Sequence, residues 1–116
     1  MTRYAIPITS PEGLSSPVKE HFAKSEYFVI LEAEEDKIVS VDVLHNVPSE
    51  EGEKKAADFL ADNGVNVVLA GSIGPCMKSI LHDRGVKVFM GAEGTAEDAF
   101  KDHMAGKLME VQKTGF

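Results

Sequence analysis

Hydrophobic and polar positions in this chain follow two periods, one typical of strands and one typical of helices. β-branched and aromatic residues cluster at Tyr27–Leu31 and alternate with polar ones over Lys37–Leu44. The polar turn Glu34–Asp36 separates these segments, so the pattern predicts two strands in an antiparallel hairpin. A shorter strand is predicted over Tyr4–Thr9, where Pro7 indicates a bulge or a position with one free side.

The second half of the chain predicts helices that alternate with strands. Helical periods cover Glu53–Asn63 and Pro75–Arg84, and a glycine that can end a helix follows each. Val65–Ala70 is apolar on both faces, as a central parallel strand would be, and Val86–Met90 is another strand. Thr95 is the predicted N-cap of a last helix. The order β-β-β-α-β-α-β-α, with right-handed crossovers, predicts an α/β domain on a mixed sheet.

Composition is consistent with one globular domain. The chain has 116 residues, of which 43% are hydrophobic and 27% are charged. We expect the domain to span residues 1–108 and residues 109–116 to form a flexible tail. The sequence shows no signal peptide and no membrane-spanning stretch, and its single cysteine cannot form an internal disulfide. A cytoplasmic protein without a membrane partner is therefore expected.

Charge and the first strand argue against two classes of function. The net charge of −7 comes without a basic cluster, which disfavours nucleic acid as a partner. A two-metal nuclease needs clustered carboxylates, yet Tyr4–Thr9 contains no acidic residue. The glycine turn before Cys76 matches neither the dinucleotide fingerprint nor the phosphate loop.

Cys76 is the most informative candidate for chemistry. Proline is favoured at the first position of a helix, so Pro75 places Cys76 in the first turn, beside unpaired backbone N–H groups. The positive end of the helix dipole favours the thiolate, which is the form that binds metals and attacks electrophiles. The alternative is a small buried residue next to a tight turn, which is the commoner fate of an unligated cysteine.

Several segments, in this order and spacing, resemble a known family. They are Ala5-Ile6-Pro7, Ser16-Pro17-Val18, Glu20-His21-Phe22, the hairpin, Asn46, Ala70-Gly71-Ser72-Ile73-Gly74-Pro75 and Gly91-Ala92-Glu93-Gly94-Thr95. The chain is similar in these segments to the dinitrogenase iron–molybdenum cofactor biosynthesis domain family. Two positions depart from the family pattern: Ala23 stands where glycine is usual, and Cys76 where arginine is common.

The resemblance implies both a fold and a function. The implied fold is a ribonuclease-H-like three-layer α/β sandwich on a mixed five-stranded sheet, of order 3-2-1-4-5, with strand 2 antiparallel. The implied function is non-enzymatic: a carrier or accessory protein for an iron–sulfur or molybdenum-containing metal–sulfur cluster, or its precursor, in cofactor assembly. Cluster-assembly proteins are then the expected partners, and a monomer or weak dimer is expected.

The ligand of such a protein would lie at the carboxyl ends of the parallel strands, in one cleft. The expected contacts to a transiently bound cluster are His21, Gly71, Ser72, Gly74 and Cys76, with His21 and Cys76 as metal ligands. An alternative function is a thiol-dependent enzyme that uses Cys76 as nucleophile and His21 as base. We further expect the segment Ser10–Ser25, rich in proline, glycine and serine, to be a mobile gate to the cleft.

Overall fold

The computed structural model describes residues 2–19, 26–45 and 58–111. Its strands are β1 (Thr2–Ile8), β2 (Tyr27–Glu34), β3 (Lys37–His45), β4 (Val67–Ala70), β5 (Lys87–Met90) and β6 (Met109–Val111). The helices in these ranges are α1 (described over residues 58–62), α2 (Pro75–Asp83), α3 (Ala96–Met104) and a short 3-10 helix at Gly13–Ser15. None of the helices in these ranges is long and apolar enough to cross a membrane.

The strands form one mixed sheet with the order β3-β2-β1-β4-β5-β6. β1, β4 and β5 run parallel, while β2 pairs antiparallel with both β1 and β3. The predicted hairpin and the mixed α/β sheet are therefore confirmed. Since β1, β4 and β5 point the same way, the loops that follow them meet at one edge of the sheet, which we call the carboxyl edge.

Apolar side chains cover both faces of the sheet. β4 has apolar residues on both of its faces, as a strand in the middle of the sheet requires. Val68 and Ala70 belong to one buried cluster, together with Leu81 of α2. Val67 and Leu69 belong to the other, together with Phe100 of α3. Because consecutive strand residues point to opposite faces, α2 and α3 cover opposite sides of the sheet. The result is a layer of helix on each face.

The predicted number of strands is wrong, because the sheet has six strands and not five. Met109–Val111 pair antiparallel with β5, and Val111 is buried among the core residues of one face. This strand is three residues long, and Met109 and Glu110 are both exposed, so its sequence shows no alternation of hydrophobic and polar residues that would predict a strand. The first three residues of the expected tail are thus part of the sheet, while residues 112–116 lie outside the described ranges.

Candidate functional site

The loops after β4 and β5 lie side by side at the carboxyl edge. The Gly91 N–H donates to the Gly71 carbonyl at 3.3 Å, and the Ala92 N–H donates to the Ala70 carbonyl at 3.0 Å. The predicted contact residues Gly71, Ser72 and Gly74 all lie in the first of these loops. The structure therefore places one part of the expected site next to the Gly91–Gly94 loop.

The N-terminus of α2 is open at this edge. Gly74 is its N-cap, and as a glycine it has no side chain that could cap the helix. Pro75 occupies the start of the helix, and the first turn contains no acidic residue. The first backbone N–H groups of a helix have no partner within it, so those of Cys76 and Met77 face the region beyond Gly74. This end of α2 carries the positive pole of the helix dipole, and its own first turn supplies no carboxylate to compensate it.

The N-terminus of α3 lies at the same edge but is closed. Thr95 accepts a hydrogen bond from the Asp98 N–H, and the Asp98 carboxylate accepts one from the Thr95 N–H, both at 3.2 Å. This is a capping box, and it confirms the predicted N-cap. Gly94, with a φ of 73°, precedes it, and a Cβ there would approach the Asp98 carboxylate to 2.7 Å. Of the two helices, α3 is therefore the one whose first turn is closed by its own capping box.

Ser16 holds the loop after β1 against the loop after β5. It is fully buried, and its hydroxyl donates to the Ser10 carbonyl at 2.8 Å and accepts from the Glu12 N–H at 3.0 Å. Its carbonyl accepts from the Ala96 N–H at 3.0 Å. Hydrogen bonds therefore hold the first part of the Ser10–Ser25 segment, whose role as a mobile gate stays a prediction. Its last part, from residue 20, lies outside the described ranges.

We expect Ser16→Ala to lower the free energy of unfolding by about 1 kcal/mol, because the change removes the hydrogen bonds that the buried Ser16 hydroxyl makes to the Glu12 N–H and the Ser10 carbonyl. Urea unfolding followed by circular dichroism measures this. Ser15→Ala is the matched control, since Ser15 is the adjacent serine and is exposed. If the two variants unfold at the same urea concentration, the Ser16 hydroxyl does not hold this loop.

The proposed metal ligands lie outside what the structure describes. His21 and the matching family residue Asn46 fall outside the described ranges. Cys76 is the second residue of α2, as predicted, although its side chain is not among those described. Within the described ranges, no group of three or more histidine, cysteine or acidic residues could hold a metal ion. The ligand roles of His21 and Cys76 therefore stay predictions.

Two other residues whose side chains can bind metals, a methionine and a histidine, pack against apolar or aromatic side chains instead. Met77 of α2 is 1% exposed and packs in the hydrophobic core. His103 packs against the rings of Tyr4 and Phe89, with centroid distances of 5.4 and 4.5 Å. Ser16 has a structural role that the sequence does not reveal, since only its family match and its place in a loop of serine and proline distinguish it.

Comparisons with known proteins agree with this fold. The family model for the dinitrogenase iron–molybdenum cofactor matches residues 2–106. The uncharacterized protein MJ0580 of Methanocaldococcus jannaschii is 24% identical over 115 residues, covering 97% of this chain and 93% of the relative.

Two solved structures give a sharper comparison. A NifB candidate from Thermotoga, solved by NMR, is 31% identical with a TM-score of 0.82, covering 100% of this chain and 97% of its own. The apo form of the orange protein from Desulfovibrio gigas is 28% identical with a TM-score of 0.84, covering 96% and 93%. The architecture described above is therefore shared along almost the whole length of these chains.

Proposed function

This chain belongs to the dinitrogenase iron–molybdenum cofactor family, and on that premise we propose that it binds an anionic metal–sulfur cluster or cluster precursor. It acts as a carrier or accessory protein in cofactor assembly, and not as an enzyme. The cargo is an iron–sulfur or molybdenum-containing species that is bound transiently, and its donors and acceptors are cluster-assembly proteins of the cytoplasm. The core fold is the ribonuclease-H-like sandwich of this family.

The observation that carries this proposal is the difference between the two helix N-termini at the carboxyl edge. Asp98 closes α3, whereas α2 begins with Gly74 and Pro75 and has no acid in its first turn. An anion gains from the helix dipole and from the first N–H groups only where no carboxylate already occupies them. The cargo of this protein therefore binds at α2, beside Gly71, Ser72 and Gly74.

Cys76 and His21 supply the metal ligands in this proposal. Thiolate is a soft ligand that suits iron–sulfur and copper(I) centres, and imidazole suits iron, copper and zinc. Two ligands are fewer than a permanent site uses, so the backbone N–H groups of α2 provide the remaining attraction to the cargo's negative charge. A site of this kind can release its cargo, as a carrier must.

The alternative of a thiol-dependent enzyme, with Cys76 as nucleophile and His21 as base, is not favoured. The family is named for a cofactor, and one solved relative is described as an apo form, which is a form without a bound group. A nuclease is not favoured either, because β1 contains none of the acidic residues that a two-metal nuclease needs on its strands. Binding, rather than turnover, is the function that the carboxyl edge of this chain supports best.

Anaerobic titration with tetrathiomolybdate tests the proposal. We expect saturable binding with a change in the visible absorption of the anion, because the α2 N–H groups can donate to its sulfur atoms while its molybdenum can take Cys76 or His21 as a ligand. Molybdate is the matched control, since it is also a tetrahedral dianion but carries hard oxygen atoms in place of sulfur. It should therefore bind more weakly. If neither tetrathiomolybdate nor a soluble iron–sulfur cluster binds saturably, the proposed function is wrong.

A further inference from the structure

A cavity lies at the edge of the sheet opposite the carboxyl edge, where the parallel strands begin. Its volume is about 400 Å³, within the range of small-molecule sites. Among the residues that line it, Thr2, Asn66 and Lys87 lie at or just before the first residues of β1, β4 and β5. Because the proposed cargo loops follow the other ends of these strands, the two sites are separated by the length of the sheet.

Three rings form the wall of this cavity. The His103 ring lies between those of Tyr4 and Phe89, and meets them at interplanar angles of 67° and 68°. Tyr4 in turn meets Phe100 edge to face, at 82° and 5.4 Å between centroids. Such edge-to-face packing fixes the rings in place, so the wall is preformed. A flat aromatic ligand can pack against it without reorganising the protein.

Polar groups on this wall lack partners in the described part of the chain. The Tyr4 hydroxyl and the His103 ring nitrogens make no hydrogen bond there, and neither is among the buried polar atoms without a partner, so both are accessible from the cavity that their residues line. Desolvation raises the pKa of Tyr4 and lowers the pKa of His103. At neutral pH both side chains are therefore uncharged, and each can donate or accept one hydrogen bond.

Lys87 gives the cavity its charge. It is exposed, it is the one formally charged side chain among the described lining residues, and it makes no ion pair within the described ranges. A single cation at the border of an aromatic wall selects a ligand that has an anionic group and a ring. A neutral ring would gain nothing from the exposed ammonium group, which would stay hydrated, and an aliphatic anion would gain little from the aromatic wall.

We propose that this cavity is a binding site for a small aromatic carboxylate. The ring of the ligand packs against Tyr4, Phe89 and His103, and its carboxylate pairs with Lys87. The Tyr4 hydroxyl and the Asn66 amide lie on the same lining and provide further hydrogen bonds. The site is independent of the proposed cluster cargo, and nothing in this proposal requires that cargo.

Titration with 1-naphthoate, followed by the amide resonances in two-dimensional NMR, tests the proposal. We expect saturable shifts at the amides of Asn66, Lys87 and His103, and not in the Gly71–Gly74 loop. Lys87→Met should weaken 1-naphthoate binding about tenfold, since it removes the charge-assisted contact and keeps the length of the side chain. Lys37→Met is the matched control, because Lys37 is also an exposed lysine at the first residue of a strand.

A neutral probe separates charge from ring packing. 1-Naphthalenemethanol should bind the unmodified protein more weakly than 1-naphthoate, and Lys87→Met should leave its binding unchanged. The proposal is wrong if 1-naphthoate shows no saturable shift up to about 10 mM, a concentration well above the Kd of about 1 mM that a weak specific site would have. It is equally wrong if Lys37→Met and Lys87→Met have the same effect.

Discussion

The Cys76→Ser, His21→Ala double variant should weaken binding of tetrathiomolybdate at least about a hundredfold, which corresponds to two factors of ten at about 1.4 kcal/mol each. The first change replaces a soft thiolate with a hard hydroxyl that stays protonated, and the second removes the imidazole nitrogen. The backbone N–H groups of α2 remain, so weak binding of the anion should persist. Anaerobic absorbance titration of the four combinations measures each contribution.

A control on the same helix tests whether this loss is local. His82 lies in the last turn of α2, at the far end from Cys76. His82→Gln should therefore leave tetrathiomolybdate binding unchanged, and the circular dichroism spectra of all variants should agree. Unchanged binding in the double variant would remove both Cys76 and His21 from the site. The helix N-terminus alone would then have to account for any binding.

Local patterns in the sequence predict most of the fold, because most of its elements repeat a period. The hairpin of β2 and β3 follows from alternation, and the central position of β4 follows from a run that is apolar on both faces. β6 could not be predicted, since only Val111 of its three residues is buried and pairing with β5 decides its structure. A strand that depends on a distant partner leaves little trace in its own residues.

In the candidate site too, features that depend on neighbouring residues could be predicted, and those that depend on distant residues could not. The Thr95 cap and the position of Cys76 in the first turn of α2 follow from adjacent residues, and both are confirmed. Ser16 differs, because its carbonyl binds the Ala96 N–H, a partner 80 residues further along the chain. Composition alone therefore suggested a loosely held loop, whereas tertiary contacts fix the part from Ser10 to Lys19.

Gly74→Asp should weaken tetrathiomolybdate binding at least about tenfold while leaving the protein as stable as before, or more stable by a few tenths of a kcal/mol. Gly74 has φ −74° and ψ 158°, an extended conformation that any residue adopts. Aspartate is a favoured N-cap, so its carboxylate would accept hydrogen bonds from the first turn of α2. It would thus do for α2 what Asp98 does for α3.

Gly74→Asn tests whether any loss of binding comes from capping the first N–H groups of α2 or from the negative charge of the new side chain. Asparagine caps a helix about as well as aspartate but is neutral, so it should weaken binding less than aspartate does. Chemical denaturation and anaerobic titration of both variants give the two quantities side by side. If Gly74→Asp binds tetrathiomolybdate as tightly as the unmodified protein, the anion does not use the N-terminus of α2. A loss of binding without a loss of stability would instead show that the open end of this helix is kept for a ligand, at the expense of a cap that a single residue could supply.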